Sequence, residues 1–429
     1  MALSANACTG VGDQVAPRAA ETAAQASAER PGAPKPPALK PSSASPSPPA
    51  LEWKADYAAP RPGSPADPAL SVLAEGCGAG DEGLHQVAQA AARYLSDHGQ
   101  APEPDWTLFE LGRNGVPYVL PRLWSADVPA DADDGLVATH IRNWSEERPV
   151  RGEARCGVGE VAREDGSRSV AVVWVDARSD LAALPLAPAL GASLTLRARL
   201  LVPATDTEVV VLPPGGRPRP LATKTKGDAV EAKIRVDREG PWLLQLLAND
   251  EGGPLPALAF TLWVGAKPPA NFEAGTVPGE DAAGPESTPE EALLAMSNAA
   301  RRASGLPPFT RRSALDVLAR EHARAMQKWR EMTHDSGDGN PARRVEAAGI
   351  SARAVGENVA RAATLKRAHR ALWASPSHRG NLLAPHFDEI GIGVAPDGAG
   401  WYVSLLFVES VRHHTQGANV GDGSSHVMR

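Results

Sequence analysis

The chain has 429 residues, with 44 basic and 51 acidic side chains and a net charge of −7. That length exceeds one compact core, so several domains are expected. The charges are dispersed, without the Lys/Arg block of a nucleic-acid-binding face. No run approaches the ~18 consecutive apolar residues of a transmembrane helix.

Residues 1–66 are dominated by Ala, Pro and Ser, as in Ser42-Ser-Ala-Ser-Pro-Ser-Pro-Pro. Such a segment cannot bury enough surface to offset ordering entropy, and it reads as a disordered tether. Near its start, small residues run into Cys8, which resembles the end of a bacterial lipoprotein signal and would make Cys8 an acylated anchor. The expected Leu three residues earlier is Ala5, and a plain disordered start is the alternative.

Residues 67–184 read as an α+β unit. Leu84 to Leu95 has apolar residues at helical spacing, and Ser169-Val-Ala-Val-Val-Trp-Val-Asp176 is a buried-strand run. Cys77 and Cys156 fall in this unit, either as a disulfide or as two separate buried thiols; spacing does not decide. Residues 185–266 alternate apolar and polar over short runs, such as Ala229-Val-Glu-Ala-Lys-Ile-Arg-Val236, between Gly/Pro turns, which indicates a small β-sandwich. No site residue stands out in it. Residues 267–287 read as a linker, and 411–429 as a disordered tail.

Thr288-Pro-Glu-Glu opens the last domain, 288–410, with a cap, Pro at the first helical position and acids in the first turn. Leu315, Leu318, Ala319, His322, Ala325 and Met326 share one helix face, so His322 reads as a core histidine. Asp335-Ser-Gly-Asp-Gly is turn chemistry, placing His334 at a helix exit. Gly356 lets the backbone bend at Glu357-Asn358. Ser375-Pro376 caps a new helix and sets His378 in its first turn, where the helix dipole favours a neutral imidazole.

The ordered set Met332-Thr-His, Gly356-Glu-Asn, Ser375-Pro-Ser-His-Arg, Ile390-Gly-Ile-Gly and Trp401-Tyr-Val-Ser-Leu-Leu-Phe resembles the bacterial branch of the CAP superfamily. This group comprises the cysteine-rich secretory proteins, antigen 5 and pathogenesis-related 1. The resemblance implies an α–β–α sandwich whose cleft is lined by two His and two acids. Position by position, it places His334, Glu357 and His378 in the cleft, with Asn358 and Ser375 beside them. Where many eukaryotic members carry a second Glu, this chain has Trp373-Ala-Ser-Pro, with Asp335 or Asp338 as substitutes. His334, His378 and Glu357 form a candidate set for Zn²⁺ or another divalent cation, with an open fourth position.

The fold expected is therefore multidomain α+β: a tether, an α+β unit, a β-sandwich and a C-terminal α–β–α sandwich. Leu84 to Arg93 lines up with Leu315 to Arg324, and Cys156-Gly-Val-Gly with Ile390-Gly-Ile-Gly. Residues 67–184 are thus either a degenerate copy of the last domain, with a blank cleft, or an unrelated unit. The function expected is an exported protein at the cell envelope or outside it. It would bind a small molecule, lipid or envelope component in the His/Glu cleft, with or without a cation. Two alternatives stand beside this: a metal-assisted hydrolase with Glu357 as general base, or a structural surface protein with a vestigial cleft. No His-Glu-x-x-His helix and no Gly-x-Ser-x-Gly elbow supports a hydrolase.

Overall fold

The computed structural model describes the backbone of residues 5–8 and residues 52–411, apart from positions 148 and 399. Most of the expected tether, the Cys8 side chain and the tail from 412 onward lie outside the described residues. Two short strands come first, β1 (Ala5–Cys8) and β2 (Asp56–Ala59). The α+β unit follows with α1 (Ser71–Ala74), β3 (Ala79–Gly80), α2 (Glu82–His98), α3 (Pro104–Arg113), β4 (Arg122–Val128), α4 (Asp134–Glu146), β5 (Glu153–Ala162) and β6 (Arg168–Ala177). Its sheet has the order β1-β4-β6-β5-β3, with β3 parallel to β5 and the other pairs antiparallel.

Helix α2 starts where Asp81 accepts the Leu84 N–H and stops at Gly99, which adopts a left-handed conformation. Its apolar face covers Leu123, Ala171 and Val173. The other sheet face packs Trp124, Val172 and Trp174 against Leu73 of α1 and Val137 and Ile141 of α4. Cys77 and Cys156 form a disulfide here, with Cα atoms 6.0 Å apart and a sequence separation of 79. Closing a loop of that size contributes on the order of 4 kcal/mol through the unfolded chain.

The sandwich comprises β7 (Ser179–Pro185), β8 (Ser193–Leu200), β9 (Asp206–Leu212), β10 (Arg219–Leu221), β11 (Thr223–Lys226), β12 (Ala229–Arg235), β13 (Gly240–Asp250) and β14 (Gly253–Val264). Its sheets are β10-β9-β13-β14 and β11-β12-β8-β7-β2. Two expected borders move. Strand β7 belongs to the sandwich although most of it was assigned to the preceding unit. Strand β2 comes from the segment expected to be tether: Tyr57 is 1% exposed and its hydroxyl donates to the Thr261 carbonyl at 3.0 Å. The aromatic rings of Trp53 and Tyr57 supply burial that the surrounding Pro and Ala cannot.

The last domain runs α5 (Pro289–Ala303), β15 (Thr310–Arg311), α6 (Ser313–Trp329), α7 (Pro341–Ala347), β16 (Ala352–Ala362), α8 (Leu365–Ala374), α9 (Pro376–Leu382), β17 (Glu389–Asp397) and β18 (Gly400–Ser410). Thr288 and Glu291 close a reciprocal capping box at α5. The sheet order is β15-β17-β18-β16. Gly391 and Gly393 leave room for α6: a Cβ at either would lie 2.3 Å or less from the backbone of Leu315 or Ala319. On the opposite face, Ile390, Ile392 and Phe407 pack under Leu293 of α5 and Leu372 of α8.

Residues 267–287 are not a free linker. The Pro269 carbonyl accepts from Trp53 Nε1 at 2.9 Å, and the Ala270 carbonyl accepts from Arg113 at 2.7 Å. Glu280, 4% exposed, binds Arg370 through both oxygens at 2.5 and 2.8 Å. The segment is a strap lying across both neighbours.

Candidate functional site

The cleft of the last domain begins with a buried polar network. Glu357, on β16, is 4% exposed. One of its oxygens accepts from Arg344 Nη2 and from the Ser404 hydroxyl, each at 2.9 Å. The other accepts from Arg344 at 3.0 Å and from His334 Nδ1 at 2.9 Å. Burial alone would raise this carboxyl. The His334 hydrogen bond and the charges of Arg344 and His322 outweigh it and hold Glu357 at about 2. Because the carboxylate is ionised, the His334 Nδ1–H is the donor.

The loop carrying His334 is fixed by what surrounds it. Asp335 Oδ1 accepts from the Gly337 and Gly339 N–H groups at 2.8 and 3.1 Å, as its turn-like sequence predicts. His322, fully buried on α6, faces Asp338 Oδ2 through Nδ1 and the Thr333 carbonyl through Nε2, each at 2.8 Å. Both partners are acceptors, so the ring clamps the loop onto the helix. His322 is a core residue, and it also positions His334.

His378 sits in the first turn of α9, whose N-cap is Ser375; the Ser375 hydroxyl accepts the His378 N–H at 3.4 Å. Burial, then the neighbouring His334, push the His378 imidazole down to about 3, so it is neutral at neutral pH. Asn358 is fully buried and holds α9 in place: it donates to the His378 carbonyl at 2.8 Å and accepts from Asn381 at 3.0 Å. It latches the wall without facing the cleft.

One contributor is absent from the sequence reading. Gln245, buried on sandwich strand β13, accepts from the Ser377 N–H at 3.1 Å and from the Ser375 hydroxyl at 3.3 Å. A side chain of the sandwich thus completes the N-terminal cap of the helix carrying His378. Its only sequence signal is a polar residue within an apolar strand run.

His334 and His378 open onto a chamber of about 650 Å³. The chamber is not confined to the last domain. Tyr118 and Phe109 come from the first unit, Trp263 from the sandwich, Phe272 from the strap and Trp53 and Tyr57 from the segment before it. Its wall is predominantly apolar and includes Ala374.

The three-residue metal set expected from sequence is not assembled. Glu357 is held by Arg344, His334 and Ser404 and does not line the chamber. Asp335 is engaged within its own loop and Asp338 with His322 of α6, and neither lines the chamber. Among the described residues, no group of three or more His, Cys, Asp or Glu is placed to hold a metal ion. What remains is two imidazoles, one backed by a carboxylate.

The shifts of Glu357 and His378 act on stability with one sign. Glu357, lowered from 4.5, stabilises the fold above that value, and the contribution is lost as pH falls toward 2. His378 refuses a proton that the unfolded chain takes up near 6.5, so stability also falls as pH drops from 6.5 toward 3. His369, lowered chiefly by burial, adds to this. Urea unfolding should therefore weaken steadily below pH 6.5, and His378→Phe should flatten the slope between 6.5 and 4.5. An unchanged slope would remove His378 as its source.

Residues 294–409 match the family model described as CAP, the cysteine-rich secretory protein family. The chain is 32% identical over 114 residues to the uncharacterized protein YkwD of Bacillus subtilis, which covers 26% of this chain and 44% of that protein. It therefore spans less than half the length of this curated relative. Among solved structures, an extracellular SCP-domain protein of Bacillus anthracis is 15% identical, covering 51% of this chain and 82% of that one, with a TM-score of 0.26. A cysteine-rich secretory protein of Staphylococcus aureus is 14% identical, covering 54% and 80%, with a TM-score of 0.25. No helix among the described residues is long and apolar enough to cross a membrane. With the ordered motifs and the family match, the segment 294–409 is a CAP domain.

Proposed function

We propose that this protein acts outside the cytoplasm as a binding protein that holds a small, largely apolar molecule in the chamber above His334 and His378. One observation carries this: a chamber of about 650 Å³, within the ~300–1,000 Å³ of small-molecule sites, has a predominantly apolar, aromatic-rich wall, with His334 and His378 among the polar side chains that interrupt it, which include Asp105, Arg178 and Arg361. A neutral His378 both donates and accepts, which suits a hydroxyl, ester or amide head. The hydrolase alternative is disfavoured because Glu357, the intended base, is ion-paired and sealed behind His334 rather than facing a substrate. The buried, ordered network under the cleft argues against a vestigial one.

A second reading, a divalent cation between the imidazoles, is favoured by the Glu357–His334 hydrogen bond, since metal-bound imidazoles are commonly backed by a carboxylate. Calorimetric titration of the full chain tests both. An apolar naphthylamine dye should bind with one site per chain and quench tryptophan fluorescence through Trp53 and Trp263, and His378→Ala should weaken it. Zn²⁺ uptake that disappears in His378→Ala would establish the cation reading. Neither dye nor Zn²⁺ binding to the folded protein would sink both.

A further inference from the structure

The sheet of the first unit repeats that of the CAP domain. Strands β3-β5-β6-β4 follow the order of β15-β17-β18-β16, each set with the same parallel pair, the same terminal hairpin and one long helix between the two of its strands that come first in sequence, β3 and β4 or β15 and β16. The glycine pairs set the register. A Cβ at Gly157 would lie 2.0 Å from the backbone of Leu84, just as one at Gly391 would lie 2.3 Å from that of Leu315. Between the glycines, the Val158 N–H donates to His85 Nδ1 at 2.9 Å, and the Ile392 N–H donates to Asp316 Oδ1 at 2.8 Å. His85 and Asp316 each follow the seated leucine.

From that anchor the polar network can be read across. Leu84 corresponds to Leu315, so Ala91 stands where His322 stands. Gly157 pairs with Val173 and Val173 with Leu123, whereas Gly391 pairs with Leu406 and Leu406 with Glu357. Gly159 pairs with Ala171, and Gly393 with Ser404. His322, Glu357 and Ser404 are thus matched by Ala91, Leu123 and Ala171, all buried in one apolar cluster. Leu123 lines the chamber, together with Leu108, Tyr118 and Val119 of the same unit.

We infer that the first unit is a second copy of the CAP fold whose polar cleft has become an apolar subsite. It takes the hydrocarbon part of an amphiphile whose polar end meets His334 and His378. Two clefts of opposite character then serve one ligand. This rests on reading the chamber as a ligand site.

Straight-chain primary alcohols of roughly six to twelve carbons, titrated calorimetrically into the full chain, test it. Affinity should rise severalfold per added methylene, as buried CH₂ groups require. Val119→Trp narrows the first-unit end, as does Leu108→Trp at a position 39% exposed and tolerant of size. Either should weaken the longest alcohol about tenfold and the shortest much less. His378→Ala should weaken all lengths alike. If the wild type binds with that length dependence but both Trp variants, folded by melting temperature, bind every alcohol normally, the subsite is wrong and the chamber reading survives. If the wild type binds none of them, both fail.

Discussion

Arg344→Met should destabilise the folded chain by about 3–5 kcal/mol, the usual consequence of leaving a buried charge without its partner. Arg344 and Glu357 are almost wholly buried, their side chains 6% and 0% exposed. The guanidinium also donates to the Gly339 carbonyl at 3.0 Å and the His334 carbonyl at 3.2 Å, so its loss releases the loop together with the charge. Glu357→Gln in the Arg344→Met background should recover much of the loss, because a neutral amide in that place needs no counter-charge. Urea unfolding at pH 7 measures all three chains. A loss below about 1 kcal/mol for Arg344→Met would mean that the pair does not hold the cleft.

Gly391→Ala should be at least as damaging, and Gly157→Ala should match it. In each, the new methyl would fall 2.0–2.3 Å from helix backbone, which no rotamer change relieves. The helix must lift from the sheet, and losses above about 4 kcal/mol, or failure to fold, are expected. Gly275, with open space around its Cβ position, is the control and should change stability by less than about 0.5 kcal/mol as Ala. Comparable melting temperatures for all three variants would refute the close-packing account.

The sequence was most informative where the governing contacts are local. The Thr288 and Ser375 caps, the turn after His334 and the apolar face containing His322 are encoded within a few residues of one another. Glu357 was recognisable as a cleft residue but not as Arg344's partner, because that pairing depends on α7 folding back over β16. The same contact turns the Glu357 carboxylate toward Arg344 and away from the chamber. Gln245 was out of reach for a similar reason: its partners Ser375 and Ser377 lie more than a hundred residues later in a different fold. Strand β2 was missed because Trp53 and Tyr57 are isolated among Pro and Ala, and composition averages them away.

The strap changes what a boundary means in this protein. Its contacts with Trp53, Arg113 and Arg370 tie units far apart in sequence, so the stretch that separates them along the chain is what fastens them in space. A single peptide cleavage within 267–287 should therefore leave both fragments eluting together as one particle under native conditions, separating only when denatured. Fragments that part without denaturant would show the strap to be slack. If they stay together, the walls of the chamber are joined by contacts across the units and not by the continuity of the chain alone.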